Sequence, residues 1–124
     1  MTAREVRDLF KDCVLPYYNK EARPFVGQFL KDKGFDVRVM VPMRQRDRRG
    51  CTQYIEIYAT KDDLKIVVEV DRKYPGPKGR YKFQTVPDDI TKICLLRNHE
   101  HPQTTLEDGT IVISLDTETK YDLW

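Results

Sequence analysis

The chain has 124 residues, is 40% hydrophobic, and carries a net charge of +2 from 22 basic and 20 acidic side chains. That suits a single compact domain over residues 1–124 and excludes a histone-like or ribosomal-tail protein, whose charge would be one-sided. No run approaches the roughly 18 apolar residues of a spanning helix, and Met1 to Phe10 mixes charges where a secretory signal would be apolar.

In chain order, residues 2–15 read as a helix, with Thr2 as N-cap, Glu5 completing a capping box, and Val6, Phe10 and either Cys13 or Val14 at helical spacing. Pro16 ends or kinks it. A second helix is expected from about Asn19 to Lys33, on the stripe Ala22, Phe25, Val26, Phe29 and Leu30. Pro24 fits that helix only in its first turn, and Gly34 supplies a C′ residue. The period then falls to two. Phe35, Val37, Val39 and Val41 alternate with Asp36, Arg38 and Met40, which predicts a strand. Residues 44–50, RQRDRRG, read as a basic loop. Two β-rich runs, 51–60 and 64–72, flank Lys61, Asp62 and Asp63 and predict a hairpin. YPGPKG at 74–79 suits no regular element, and a short helix fits 80–86. Strands are expected at 90–97 and 110–115, with loop between them and a turn at Glu107-Asp108-Gly109. Helices at one end and a central meander imply an α/β domain with a mixed sheet flanked by helices.

The hairpin carries the strongest functional signal. With Asp62-Asp63 as the turn, Thr60 faces Lys65, Tyr58 faces Val67 and Glu56 faces Glu69. One face is then Ile55, Ile57, Ala59, Ile66, Val68 and Val70, which is apolar and belongs to a core. The other holds Tyr54, Glu56, Tyr58, Val67, Glu69, Asp71 and Lys73. Like charges directly opposite on a sheet are destabilising, and a Mg²⁺ ion, which takes oxygen ligands from one or two carboxylates plus water, removes the repulsion. Lys73 falls on the same face by parity. An ordinary charged outer face, with Lys65 or Arg72 as partners, is the competing reading. A three-residue loop would instead set Glu56 against Val70 and separate the acids.

The segment IEIYATKDDLKIVVEVDRK, followed by GRYKF and ITKICLLR, resembles the PD-(D/E)XK nuclease superfamily over about residues 19–97. The resemblance implies an αβββαβ core, here with an extra N-terminal helix and an extra C-terminal strand. It also implies hydrolysis of phosphodiester bonds in DNA or RNA with Mg²⁺ or Mn²⁺ as cofactor. Glu56 takes the first acidic place of the motif and Glu69 the second, and Asp71 stands where the family has lysine. The lysine role then passes to Lys73, through Asp71-Arg72-Lys73 as D-x-K on the same face, or to Lys82 on the following segment. Glu56, Glu69 and Asp71 are the implied metal ligands, and Glu21 matches the helix glutamate of some members. If neither lysine is placed correctly, the implied alternative is a non-catalytic module of the same fold that binds nucleic acid or a protein partner.

Arg44, Arg46, Arg48 and Arg49 precede the hairpin and read either as a clamp on a phosphate backbone or as a solvated loop. Lys78 and Arg80, interleaved with Tyr74 and Tyr81, suit either a single-stranded or distorted nucleic acid or a rigid connector. His99 and His101 lack the HExxH spacing of a zinc protease. Cys13, Cys51 and Cys94 lie far apart, which suits reduced thiols in the cytoplasm and offers no disulfide framework. A chain this short implies a homodimer or a larger complex for any sequence-specific cutting.

Overall fold

The computed structural model describes residues 1–71, 82–97 and 103–119. Among these residues, helices α1 (Ala3–Phe10) and α2 (Asn19–Asp32) accompany a six-stranded mixed sheet. Its strands are β1 (Asp36–Arg46), β2 (Thr52–Lys61), β3 (Leu64–Asp71), β4 (Thr91–Leu96), β5 (Thr104–Thr105) and β6 (Ile111–Ser114), in the spatial order β1-β2-β3-β4-β6-β5. β1, β2 and β3 form an antiparallel meander, β4 lies parallel to β3 and to β6, and β5 is antiparallel to β6. None of the described helices is long and apolar enough to cross a membrane.

Capping sets the helix ends. Thr2 Oγ1 accepts from Glu5 N (3.2 Å) and Glu5 Oε1 accepts from Thr2 N (3.0 Å), the reciprocal capping box. The helix stops at Phe10, short of the expected residue 15. Pro16 bears only on the end of this stretch, because a proline disfavours helical backbone in the residue before it. Leu15 is extended instead: its N–H donates to Asp116 O (2.8 Å), and Glu118 N donates back to Leu15 O (2.8 Å). Cys13 and Leu15 are buried and Val14 is exposed, so the burial here has a strand's period.

α2 ends at a Schellman motif: Phe35 N donates to Leu30 O (3.0 Å) and Gly34 N to Lys31 O (2.9 Å), with Gly34 at φ 95°. Phe35 and Leu30 close it by packing in the same core. Lys61 Nζ adds a bond to Lys33 O (2.8 Å), placing a cation at the negative end of the helix dipole. Pro24 lies in the second turn of α2, not the first, and leaves the Lys20 carbonyl without its helical donor.

β1 runs on through Arg44–Arg46, so the basic stretch is strand up to Arg46 and turn only from Asp47 to Gly50. The hairpin register is the expected one from Lys61↔Leu64 to Ile57↔Val68, around a two-residue turn with Asp62 at φ 52°, but regular pairing stops there and does not include the expected Glu56 opposite Glu69. The expected short helix is a 3₁₀ turn at Lys82–Thr85, and β5 lies within the stretch expected as loop.

The sheet separates two interiors. Val6, Phe10, Val26 and Leu30 from the helices pack on Ile57, Ala59, Ile66, Val68, Val70, Ile93, Leu95, Ile111 and Ile113. On the opposite face Val67 joins Ile55, Phe83 and Val86, while Cys94 joins Leu96 and Val112. Ile55 is therefore not on the helix-covered face, where strict alternation puts it. Regular β2–β3 pairing ends at Ile57, and in β1 Met40 takes a left-handed φ of 51°, so alternation does not carry through.

Candidate active site

The site forms where β2 and β3 part. Beyond the last regular pair, Ile57↔Val68, Glu56 Oε2 accepts from Val70 N (3.2 Å), so this carboxylate spans the widening gap. Glu69 projects from β3 between the two small clusters of the helix-free face and is buried. Its Oε1 accepts from Lys82 Nζ at 2.7 Å, a contact supplied by the 3₁₀ turn. Its Oε2 is buried with no hydrogen-bond partner among the described residues. Burial first, and the Glu56 charge second, push the Glu69 carboxyl up to about 8, with Lys82 pulling the other way.

Three of the expected site residues thus meet: Glu56, Glu69 and Lys82. Asp71 lies two residues further along β3, and its Oδ2 accepts from Cys94 Sγ (3.5 Å). Burial, followed by the Asp71 charge, raises the Cys94 thiol far above its ordinary range, which keeps it a protonated donor. Among the described residues, no group of three or more His, Cys, Asp or Glu side chains converges as a metal cage. The donor set is Glu56 and Glu69, which fits Mg²⁺ better than a metal needing an all-protein shell, because Mg²⁺ keeps several waters beside one or two carboxylates. The unpartnered Glu69 Oε2 is the atom such an ion would satisfy. Lys73, Lys78, Arg80, His99 and His101 lie outside the described residues.

The arginines take two settings. Arg44 and Arg46 are exposed on β1, and Arg46 Nη1 donates to Gly50 O (3.1 Å). Arg48 and Arg49 sit in the turn that Asp47 organises, its Oδ1 accepting from Arg49 N (2.8 Å) and Cys51 N (2.9 Å). Arg46 pairs with Thr52, four residues along β2 from Glu56, or about 13 Å at strand spacing. The four arginines line the outer arm of the β1–β2 hairpin and do not touch the acid pair.

Two basic residues not anticipated from sequence lie closer. A cavity of about 280 Å³ is lined by Asn19, Lys20, Ala22 and Arg23 of α2 together with Glu56 and Val70. Glu21 is exposed and is not among its walls. This neighbourhood arises because α2 crosses the sheet where β2 and β3 separate, a long-range contact that local spacing does not encode. No family model matches the chain, no characterised protein matches it in sequence, and no solved structure matches it in fold.

Proposed function

We propose that this protein is a metal-dependent nuclease that hydrolyses phosphodiester bonds in DNA or RNA. One observation carries the reading: two carboxylates, Glu56 and Glu69, meet where the hairpin opens, with Lys82 Nζ 2.7 Å from Glu69. A protein that needed only to fold would gain by replacing a buried acid held against a second carboxyl. The strand order supports the same reading, since three antiparallel strands followed by a fourth parallel to the third match the meander and crossover expected of an αβββαβ core.

In this reading Glu56 and Glu69 hold Mg²⁺ or Mn²⁺, which would supply a water of lowered pKa and neutralise charge on the phosphate. Glu56 is oriented by Val70 N. Lys82 fills the lysine role from the 3₁₀ turn, because Asp71 occupies the usual lysine position and faces Cys94. Its ammonium is placed to orient the attacking water or offset charge on the phosphate. The arginines of the hairpin arm then contact the phosphate backbone about 13 Å from the acid pair. The same Asp71 favours a second reading, in which the fold binds nucleic acid without cutting it.

The test is a cleavage assay on single- and double-stranded DNA and RNA with Mg²⁺ or Mn²⁺, running wild type beside Glu69→Gln and Lys82→Met. Metal-dependent cutting by wild type, reduced at least about 100-fold in both variants, is the expected result. Salt-sensitive binding with no cutting by wild type would leave the binding-module reading in its place.

A further inference from the structure

The cavity beside Glu56 has chemistry that the acid pair does not use. Its walls bring Lys20 and Arg23 next to the candidate scissile position. Arg23 Nε is buried and has no hydrogen-bond partner among the described residues. A buried donor left unpaired is costly unless a ligand supplies the acceptor, and a guanidinium's fork of donors matches the oxygens of a phosphate. The volume of about 280 Å³ is many times the roughly 10–15 Å³ that one water needs.

Immediately before this helix stand Tyr17 and Tyr18, exposed at 43% and 56%. Their rings meet edge to face at 4.9 Å, and Lys20 Nζ lies 5.8 Å from the centroid of the Tyr18 ring. The segment that carries these rings is anchored. Arg97 Nη2 donates to Pro16 O (2.7 Å) and to Tyr17 O, and Arg97 N donates to Asp71 O (3.0 Å). The tyrosines are thereby tied to the carboxyl ends of β3 and β4, which is the end of the sheet where Glu69 and Asp71 lie and where open α/β sheets bind ligands.

Building on the nuclease reading, we propose that the substrate is an unpaired strand. One phosphate lies in the cavity on Arg23 and Lys20, and the adjoining base stacks on one ring of the Tyr17–Tyr18 pair. A duplex cannot use such a platform, because its base faces are already covered, whereas a single strand stacks on aromatics with little sequence preference. The platform directly precedes the α2 residues that line the cavity, so a backbone entering the cavity passes the rings next.

Fluorescence anisotropy tests this with a labelled oligonucleotide, DNA and RNA, single-stranded and as its duplex. EDTA is present, so that binding is read without cleavage. Wild type is expected to bind the single strand at least about tenfold tighter than the duplex. Tyr17→Ala with Tyr18→Ala lowers single-strand affinity by about tenfold or more and leaves duplex binding unchanged. The double Tyr→Phe variant keeps the affinity, which separates stacking from any effect on folding. Arg23→Ala flattens the plot of log affinity against log salt by about 0.7 for a single strand, and Arg23→Lys restores the slope. Equal or tighter duplex binding, folded tyrosine variants that bind like wild type, or no binding of either form overturns the proposal. Metal-dependent cleavage that survives the tyrosine changes would sink the unpaired-strand proposal and leave the nuclease reading standing. Single-strand binding without any cleavage does the reverse.

Discussion

The two faces of the sheet follow different rules. Beneath the helices the buried side chains of β3, β4 and β6 are aliphatic, and the core is continuous from Val6 to Leu115. On the other face, small apolar clusters flank a buried Glu69, and Cys94 donates to Asp71. The first face is what folding needs. The second carries buried charge, which costs stability unless it is paired, and so marks where the chain has been shaped for something besides folding. Perturbing each face should separate these roles.

The largest effect is expected on the helix-covered face. Ile66 is fully buried at the centre of β3, and Ile66→Ala removes three methyl or methylene groups from a site walled on both sides by neighbouring strands. Urea denaturation should show a loss of about 3–4 kcal/mol, with no change in the ratio of single-strand to duplex affinity if the protein remains folded.

Glu69→Gln should act in the opposite direction on the other face. Below about pH 4.5 the Glu69 carboxyl is protonated in both folded and unfolded chains and adds no pH dependence. Between about 4.5 and about 8 the unfolded chain gives up a proton that the folded chain retains, so stability falls as pH rises, and it levels off above about 8. One such group contributes a slope of at most about 1.4 kcal/mol per pH unit. Denaturation of wild type across this window in EDTA should show the fall, and Glu69→Gln should remove most of it. A variant as pH-sensitive as wild type would mean that Lys82 already holds Glu69 as a fully paired anion.

This contrast also explains what could be read from the residues alone. The aliphatic face obeys period two, so Ile57, Ala59, Ile66, Val68 and Val70 are legible, and the Asp62-Asp63 turn fixes the register from Lys61↔Leu64 to Ile57↔Val68, short of the expected Glu56–Glu69 pair. The capping signals at Thr2 and Gly34 are local and appear where expected. What escaped depends on long-range geometry or broken alternation. Ile55 changes face beyond the break near Met40, Leu15 leaves the helix to bridge Thr117, and Lys20 and Arg23 share a cavity with Glu56 because α2 crosses the sheet there. Lys82 was one of two lysines compatible with the sequence pattern. Its bond to Glu69 depends on where the 3₁₀ turn lies against the sheet, which strand parity does not encode.

The smallest effects come from two glycines of one helix region. Gly34 holds φ at 95°, and a Cβ there would approach Lys61 Cε to 3.3 Å. Gly34→Ala combines left-handed strain with displacement of the lysine that caps α2, and a loss of about 1–2 kcal/mol is expected. Gly27 differs on both counts. It is buried inside α2 with ordinary helical backbone, and a Cβ there would meet Val37 Cγ1 at 3.7 Å, a normal van der Waals distance. Gly27→Ala therefore reduces the freedom of the unfolded chain and adds a contact to β1 without strain, for a gain of about 0.5–1 kcal/mol. Thermal denaturation of the two single variants and the double variant measures both. If the residues are independent, the changes add to within about 0.5 kcal/mol. A loss at Gly27 would mean that α2 and β1 are closer than 3.7 Å implies, and that the helix carrying Lys20 and Arg23 has no room to shift toward the sheet.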